Sequence, residues 1–355
     1  MRDVPSSENR LRTSETRTTP MSIRVRRSVS ATAVAVGVLI TSTLSGCAGD
    51  DGERSQPVVT VDGKPLVVVT YSILGDVVSQ LVGDAATVEV LIPNGQDPHD
   101  YAASAHDVET MMGAAMVVVN GLDLEEGLED AIGQVDADGV PVFHATEHIT
   151  VRELGAEEAA AQGEGGGEGD DAHGGGDPHL WTDPLSIAAL LPDLATELGD
   201  ALGIPLGIPL DTALDIPLDT QLAALQAEMN QLDTDVREVM AVIPAGECRL
   251  VTGHESLGYF ADRYGCELIG AVIPSLSSSA EASAKDLAEL LEVAQAVDVT
   301  AIFTEVGTPA RVAEQVAAEV GVPLIELPTH TLPDTGGYQA FITGLATEIA
   351  DGLAT

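Results

Sequence analysis

The chain has 355 residues, with 57 Asp and Glu against 15 Lys and Arg, so its formal charge at pH 7 is −42. This charge excludes nucleic acid as an expected partner, because a second polyanion would be repelled at every approach. The length suggests about two domains. Since 45% of the residues are hydrophobic, the chain can bury a sizeable core and is not disordered overall.

The N-terminal segment has the layout of a secretory signal peptide. Seven of the fifteen basic residues precede residue 28, and an apolar stretch at 31–44 follows them. That stretch is too short and too rich in Ser and Thr for a permanent membrane span, and it leads into a Leu-Ser-Gly-Cys sequence resembling a lipobox. We therefore predict that residues 1–46 are removed, with Met21 as a possible true start. Cys47 would then carry a lipid that anchors the protein outside the cytoplasm, at the cell membrane.

Cys248 and Cys266 are the two cysteines besides Cys47. Each directly precedes an apolar run typical of a strand, at 249–252 and 267–270. If these runs are adjacent parallel strands, the two cysteines lie side by side within bridging distance. Because the setting outside the cytoplasm is oxidising, we predict a disulfide between them, with two free buried thiols as the alternative.

Short β-branched runs alternate with helical segments along most of the chain, which predicts an α/β fold with mainly parallel sheets. In the first half the predicted strands are 66–71, 87–92, 115–120 and 140–144, with helices at 73–82 and 105–113. In the second half the predicted strands are 249–252, 267–272, 299–304 and 323–327, with helices at 256–264, 280–296 and 310–320. The pattern therefore indicates two α/β lobes.

One long amphipathic helix is predicted between the lobes. Apolar residues recur at steps of three and four from Leu222 to Ile243, just before Pro244. A helix of about 22 residues spans roughly 33 Å and would join the lobes stiffly. The predicted organisation is a tether at 47–61, a first lobe at 62–217, a linker helix at 218–243 and a second lobe at 244–355.

Two segments have a biased composition. Residues 155–176 are rich in Gly and acidic side chains and contain His173, and such a segment cannot bury a core. We expect it to be a mobile loop of the first lobe that raises the local concentration of cations. Residues 202–218 contain a short repeat with Pro every few residues, which forbids a regular helix there.

Four of the eight histidines share one structural context. His99, His254 and His330 each follow a predicted strand, and His179 lies on a loop before a helix. In open α/β sheets, ligands bind beyond the carboxyl ends of the strands, so the three positions that follow strands point to a cleft in one lobe or the other. Imidazoles converging from several loops suit a transition metal, above all zinc. The remaining histidines lack this context, and we expect structural roles for His106, His144 and His148.

Three motifs in order carry a resemblance to a known family. They are Asp97-Pro98-His99-Asp100-Tyr101, Asp177-Pro178-His179-Leu180-Trp181 and Gly253-His254-Glu255-Ser256-Leu257-Gly258-Tyr259. From about Leu66 to the C-terminus the chain resembles the zinc and manganese solute-binding lipoproteins of bacterial metal ABC importers, the cluster A-I family. The resemblance implies two α/β lobes joined by one rigid helix, with the metal held between them.

The resemblance also implies the ligands, namely His99 and His179 from the first lobe and His254 from the second. The fourth ligand of the family is usually an Asp shortly after the last strand. Here His330 occupies that place and is our choice, with Asp334 and Glu305 as alternatives. Because this set is rich in nitrogen, it favours Zn²⁺ over Mn²⁺, while ligand type alone does not exclude copper or nickel.

The function expected from these features is capture of Zn²⁺ outside the cell and its delivery to an ABC importer permease, by a monomer that is not an enzyme. One alternative is an adhesin-like surface lipoprotein in which the metal is only structural. A second is a zinc hydrolase, which would need three ligands, a bound water and a carboxylate base such as Glu255 or Glu305. The sequence contains no His-Glu-x-x-His motif to favour the hydrolase.

Overall fold

The structure is a computed structural model that describes residues 59–154, 176–204 and 217–354. The predicted signal peptide, the predicted lipidation site Cys47, nearly all of the Gly-rich acidic loop and most of the Pro-containing repeat lie outside the described residues. The described residues form two α/β lobes joined by a long helix, which confirms the predicted fold class.

The first lobe is built on a five-stranded sheet in which β3, β2, β4 and β5 are parallel neighbours in that order. The short β1 pairs antiparallel with the start of β2. Helices cover the sheet, so β4 is buried along its whole length, as expected for a parallel sheet. The elements are β1 Thr60–Val61, β2 Lys64–Tyr71, α1 Ser72–Val82, β3 Thr87–Ile92, α2 Ala105–Gly113, β4 Met116–Val119, α3 Glu129–Ala137, β5 Val142–His144 and α4 Pro184–Leu202.

The second lobe contains two parallel strand pairs, β6 with β7 and β8 with β9. Strands β6 and β8 are in contact, which brings the two pairs together. Three helices accompany them, and α7 and α8 bury a separate small apolar cluster against the strands. The elements are β6 Arg249–Thr252, α6 Gly258–Tyr264, β7 Glu267–Ala271, α7 Ala284–Ala296, β8 Ile302–Thr304, α8 Ala310–Val320 and β9 Leu324–Glu326.

The predicted linker is a helix of 23 residues, α5 Leu218–Met240, which is about 35 Å long. It buries one stripe at steps of three and four, comprising Leu225, Met229, Leu232, Val236 and Met240. The helix ends at Met240 rather than at residue 243. Near that end the guanidinium of Arg237 donates to the backbone carbonyl of Arg263, 3.1 Å away, so α5 reaches the second lobe.

A C-terminal helix, α9 Gly337–Leu353, is additional to the predicted elements. Near its start the backbone N–H of Tyr338 donates to the carboxylate of Asp76 on α1, at 2.9 Å. Its middle packs on α5, and its last turn, at Gly352, lies against Phe303 of β8. The helix therefore contacts both lobes. None of the helices in the described residues combines the length and the apolar character needed to cross a membrane.

The predicted disulfide between Cys248 and Cys266 is present in the second lobe. Each cysteine lies just before one of the parallel strands β6 and β7, and Arg249 is paired with Glu267 in the register. The Cα atoms of the two cysteines are 4.6 Å apart. The disulfide can form because both strands begin at the same edge of the sheet. The prediction is therefore confirmed.

Replacing both cysteines, as in Cys248→Ser with Cys266→Ser, is expected to lower the free energy of unfolding by about 3 kcal/mol, since the bridge closes a short loop in the unfolded chain. Urea unfolding of the double variant, compared with the oxidised and the reduced wild type, measures this. The reduced wild type should match the variant. A loss below about 0.5 kcal/mol would show that the bridge contributes little to stability.

Candidate metal centre

Three histidines from three different loops meet in the cleft between the lobes. His99 lies beyond β3 in a short turn that begins at Pro98, and His179 lies in the irregular segment before α4. His254 lies just beyond β6, at the carboxyl end of that strand. All three are buried, and one ligand nitrogen from each lies within 4.8 Å of the other two. The structure thus brings together three of the four predicted ligands.

The Nε2 atoms of these histidines converge on one point. The Nε2 atom of His179 lies 3.4 Å from that of His99 and 3.2 Å from that of His254. Two ligand nitrogens bound to a tetrahedral zinc at 2.0–2.1 Å are separated by about 3.3 Å. The two distances therefore match the spacing that a tetrahedral zinc site requires.

A carboxylate lies behind two of the imidazoles. Oδ1 of Asp177 is 2.8 Å from Nδ1 of His179, and Oε1 of Glu305 is 2.8 Å from Nδ1 of His254. Glu305 also accepts the backbone N–H of His254 at 2.7 Å and the hydroxyl of Ser256 at 2.7 Å. Such carboxylates fix the ring orientation and increase the basicity of the coordinating nitrogen, so Nε2 of each ring is left for a metal.

The charges of these groups follow from burial and from their neighbours. Burial lowers the pKa of His99 and of His179 well below the usual value, and the neighbouring histidines lower it further. Both rings are therefore neutral and can offer a lone pair. Burial alone would also lower the pKa of His254, but Glu305 outweighs it and raises that pKa, while the pKa of Glu305 itself falls to about 2.

His330 lies next to the three histidines. Its ring nitrogens do not belong to the group of ligand atoms that lie within 4.8 Å of one another. Its ring stacks on that of His254, with 5.9 Å between centroids and 14° between planes. Its Nδ1 is 3.1 Å from the hydroxyl of Thr329, whereas its buried Nε2 has no hydrogen-bond partner among the described residues. Burial lowers the pKa of His330 to about 4, so the ring is neutral.

The two alternatives for the fourth ligand are placed differently. Both oxygens of Glu305 are already engaged, one by His254 and the other by Ser256. Asp334 is exposed on the segment that precedes α9.

Of the remaining predicted histidines, His106 is exposed on α2, and His148 stacks on Phe143 with 4.2 Å between ring centroids. His173 lies outside the described residues.

Sequence reasoning missed the carboxylates that support the ligands. Asp97 and Asp177 precede His99 and His179 by two residues, and each accepts the backbone N–H of its histidine, at 3.1 Å and 2.9 Å. The repeated Asp-Pro-His motif was the available signal for this role. Glu305 had no comparable signal as the partner of His254, because 51 residues separate the two in sequence.

A comparison with protein families identifies the chain. The family of ZnuA, described as zinc-uptake complex component A, periplasmic, matches residues 67–352. The chain belongs to this family. Membership confirms the resemblance that the three motifs indicate, and with it the class of function, a metal-binding component of an uptake system that acts outside the cytoplasm.

Different curated relatives are named for different metals. The zinc-binding protein TroA of Treponema pallidum is 29% identical over 303 residues, which cover 82% of this chain and 88% of TroA. The manganese-binding lipoprotein MntA of Halalkalibacterium halodurans is 25% identical over 270 residues, 76% of this chain and 78% of MntA. Both relatives are named for the metal that they bind.

Solved structures share the fold. The periplasmic zinc-binding protein TroA of Treponema pallidum matches with a TM-score of 0.66 and 27% identity, covering 82% of this chain and 98% of TroA. A crystal structure of ZnuA matches with a TM-score of 0.64 and 22% identity, covering 81% of this chain and 98% of the other. The laminin-binding protein Lmb of Streptococcus agalactiae matches with a TM-score of 0.63 and 22% identity. This match covers 81% of this chain and 99% of Lmb.

Proposed function

We propose that this chain captures Zn²⁺ outside the cytoplasm, holds it with Nε2 of His99, His179 and His254, and delivers it to the permease of an ABC importer. The single observation that carries the proposal is the convergence of the three Nε2 atoms, with separations of 3.2 and 3.4 Å. His99 and His179 are neutral, and carboxylates orient the buried rings of His179 and His254, an arrangement suited to hold a zinc ion. Membership in the zinc-uptake family supports the same conclusion.

His330 is the proposed fourth ligand. Its ring is buried beside His254, and its Nε2 has no other partner among the described residues. A buried polar atom without a partner is costly, and binding a metal would satisfy it. Glu305 is better suited to orient His254, and Asp334 is exposed at the surface.

The proposed metal is zinc rather than manganese. Three or four imidazoles form a nitrogen-rich set, whereas Mn²⁺ prefers carboxylate and other oxygen ligands. The zinc-binding relative TroA supports this choice, and the manganese-binding relative MntA makes Mn²⁺ the competitor to test.

The proposed setting is the outer side of the cell membrane, with a lipid on Cys47 and a permease as the partner. Two relatives named as lipoproteins support this placement, MntA as a manganese-binding lipoprotein and PsaA as the substrate-binding lipoprotein of a manganese ABC transporter. The proposed domains are a first lobe at 62–217, a linker at 218–243 and a second lobe at 244–355, with the metal between the lobes. A monomer is sufficient, because all the proposed ligands come from one chain.

The geometry favours transport over hydrolysis. A zinc hydrolase needs a carboxylate base that can reach a bound water, whereas both oxygens of Glu305, one of the two candidate bases, are engaged with His254 and Ser256. The adhesin alternative has a relative of similar fold in Lmb, described as having both adhesin and metal-transporting activity. That likeness concerns the fold, so transport is the function proposed here.

Calorimetric titration of the purified chain from residue 48 onward, after removal of bound metal, tests the proposal. We expect one Zn²⁺ per chain and weaker binding of Mn²⁺ in a parallel titration. Absence of saturable zinc binding would reject the proposed function. Tighter binding of Mn²⁺ than of Zn²⁺ would reject the choice of metal.

A further inference from the structure

We propose that the aspartates of the two Asp-Pro-His motifs, Asp97 and Asp177, are positioning residues through which the second lobe holds the first-lobe ligands His99 and His179, and thereby slows metal release. The inference rests on the proposed function and deepens it. It assigns a role to the contacts that join the lobes at the cleft.

The two motifs are built alike on the side of the histidines. In each, Oδ1 of the aspartate accepts the backbone N–H of the histidine two residues later, at 3.1 Å for Asp97 and 2.9 Å for Asp177. We call Oδ1 the inner oxygen and Oδ2 the outer oxygen. Both aspartates are buried, at 6% and 0% exposure, so each carboxylate depends on protein donors rather than on water.

The outer oxygen of Asp97 is held directly from the second lobe, and that of Asp177 indirectly, through Arg152 of the first lobe. The hydroxyl of Ser278, in the segment between β7 and α7, donates to Oδ2 of Asp97 at 2.5 Å. Oδ2 of Asp177 is 3.5 Å from the guanidinium of Arg152. Arg152 is held in turn by the carboxylate of Asp262 on α6, at 2.9 Å. Each ligand histidine is thus connected through its aspartate to an element of the second lobe.

A glycine of the second lobe faces each outer oxygen. A Cβ atom at Gly307 would lie 2.0 Å from Oδ2 of Asp97, and a Cβ atom at Gly258 would lie 2.2 Å from Oδ2 of Asp177. Any other residue at either position would push the carboxylate away. The same close approach at both motifs indicates that the two aspartates occupy equivalent places against the second lobe.

The contact at Asp177 includes the backbone. The hydroxyl of Tyr259 on α6 donates to the carbonyl of Asp177 at 3.1 Å and accepts the backbone N–H of Arg152 at 3.0 Å. The chain on both sides of the acidic loop is therefore fixed to α6 next to His179. A displacement of the second lobe would therefore act on Asp97 and Asp177 as well as on the imidazoles.

These contacts join the lobes and involve none of the proposed ligand nitrogens, so their expected effect is on the rate at which the metal leaves. A hydrogen bond to a charged acceptor contributes enough that its loss corresponds to about a tenfold change in a rate governed by that contact. The zinc dissociation rate of Ser278→Ala and of Gly258→Ala should therefore rise about tenfold. Gly344→Ala on α9 is the matched control, because a Cβ atom there meets nothing within 4 Å.

Two measurements on the full mature chain test the inference. The first is stopped-flow zinc release into excess chelator for the wild type and the three variants. The second is hydrogen exchange of the His99 and His179 amides in metal-free protein. Ser278→Ala should speed exchange at His99 but not at His179, and Gly258→Ala should do the reverse.

The outcomes separate the inference from the proposed function. Wild-type protein that binds no zinc rejects the function, and the inference falls with it. Wild-type protein that binds zinc, with release rates of both variants within twofold of the wild type, rejects the inference alone. Equal acceleration of exchange at both amides in either variant would show general destabilisation and would also overturn it.

Discussion

Replacing His99 by alanine is expected to lower the affinity for Zn²⁺ by more than about a hundredfold, because loss of a residue that only supports a ligand already costs 10–100-fold. The Nε2 atom of His99 is one of the three that converge. Its Nδ1 has no hydrogen-bond partner among the described residues, so the substitution breaks no hydrogen bond to that atom. Competition with a chromophoric chelator measures the affinity.

His106→Ala is the matched control for that change, since His106 is exposed on α2 and outside the cluster. It should bind zinc as the wild type does. Far-ultraviolet circular dichroism of the metal-free proteins should be the same for both variants. Wild-type affinity in a folded His99→Ala protein would remove His99 from the site.

The fourth coordination position is expected to depend on His330. In His330→Ala the affinity for Zn²⁺ should fall by more than about a hundredfold, as for His99→Ala. In Asp334→Asn it should stay within twofold of the wild type, because Asp334 is exposed. In Glu305→Gln it should fall about 10–100-fold, because Glu305 orients His254 without coordinating.

The same chelator competition ranks the three variants. If Asp334→Asn loses affinity while His330→Ala keeps it, the exposed segment before α9 must move to supply the ligand, and His330 is not the fourth ligand. If Glu305→Gln causes the largest loss of the three, Glu305 coordinates the metal directly. Either result would correct the proposed ligand set.

The strands whose first and last residues agree with the prediction are those with a strong local sequence pattern. Strands β3 and β6 match their predicted bounds, as does helix α8. Strand β8 is shorter than predicted, beginning at Ile302 rather than at residue 299, because its pairing with β9 starts at Ile302 and Leu324. The length of a strand depends on its partner, and the local sequence does not contain that information.

The candidate site was predictable where chemistry and topology coincide. His99 and His254 each follow a strand of a different lobe, so the sequence could place each beyond the carboxyl end of its own sheet. The family resemblance then indicated that both ends face one cleft. The carboxylate behind His254 could not be predicted, because the contact with Glu305 depends on how β6 and β8 lie side by side. The position of His330 relative to the other rings depends in the same way on tertiary packing.

The two helices that run between the lobes limit how the cleft can open. Helix α5 packs against α1 of the first lobe, and near its end Arg237 contacts Arg263 of the second lobe. Helix α9 contacts Asp76 of the first lobe near its start and Phe303 of the second lobe in its last turn. The lobes consequently share one continuous apolar core along these helices. A wide hinge rotation would have to break that core and bend two helices at once. Exchange of metal with solvent is therefore expected to proceed through small displacements of the loops that carry the histidines, within an otherwise stiff frame.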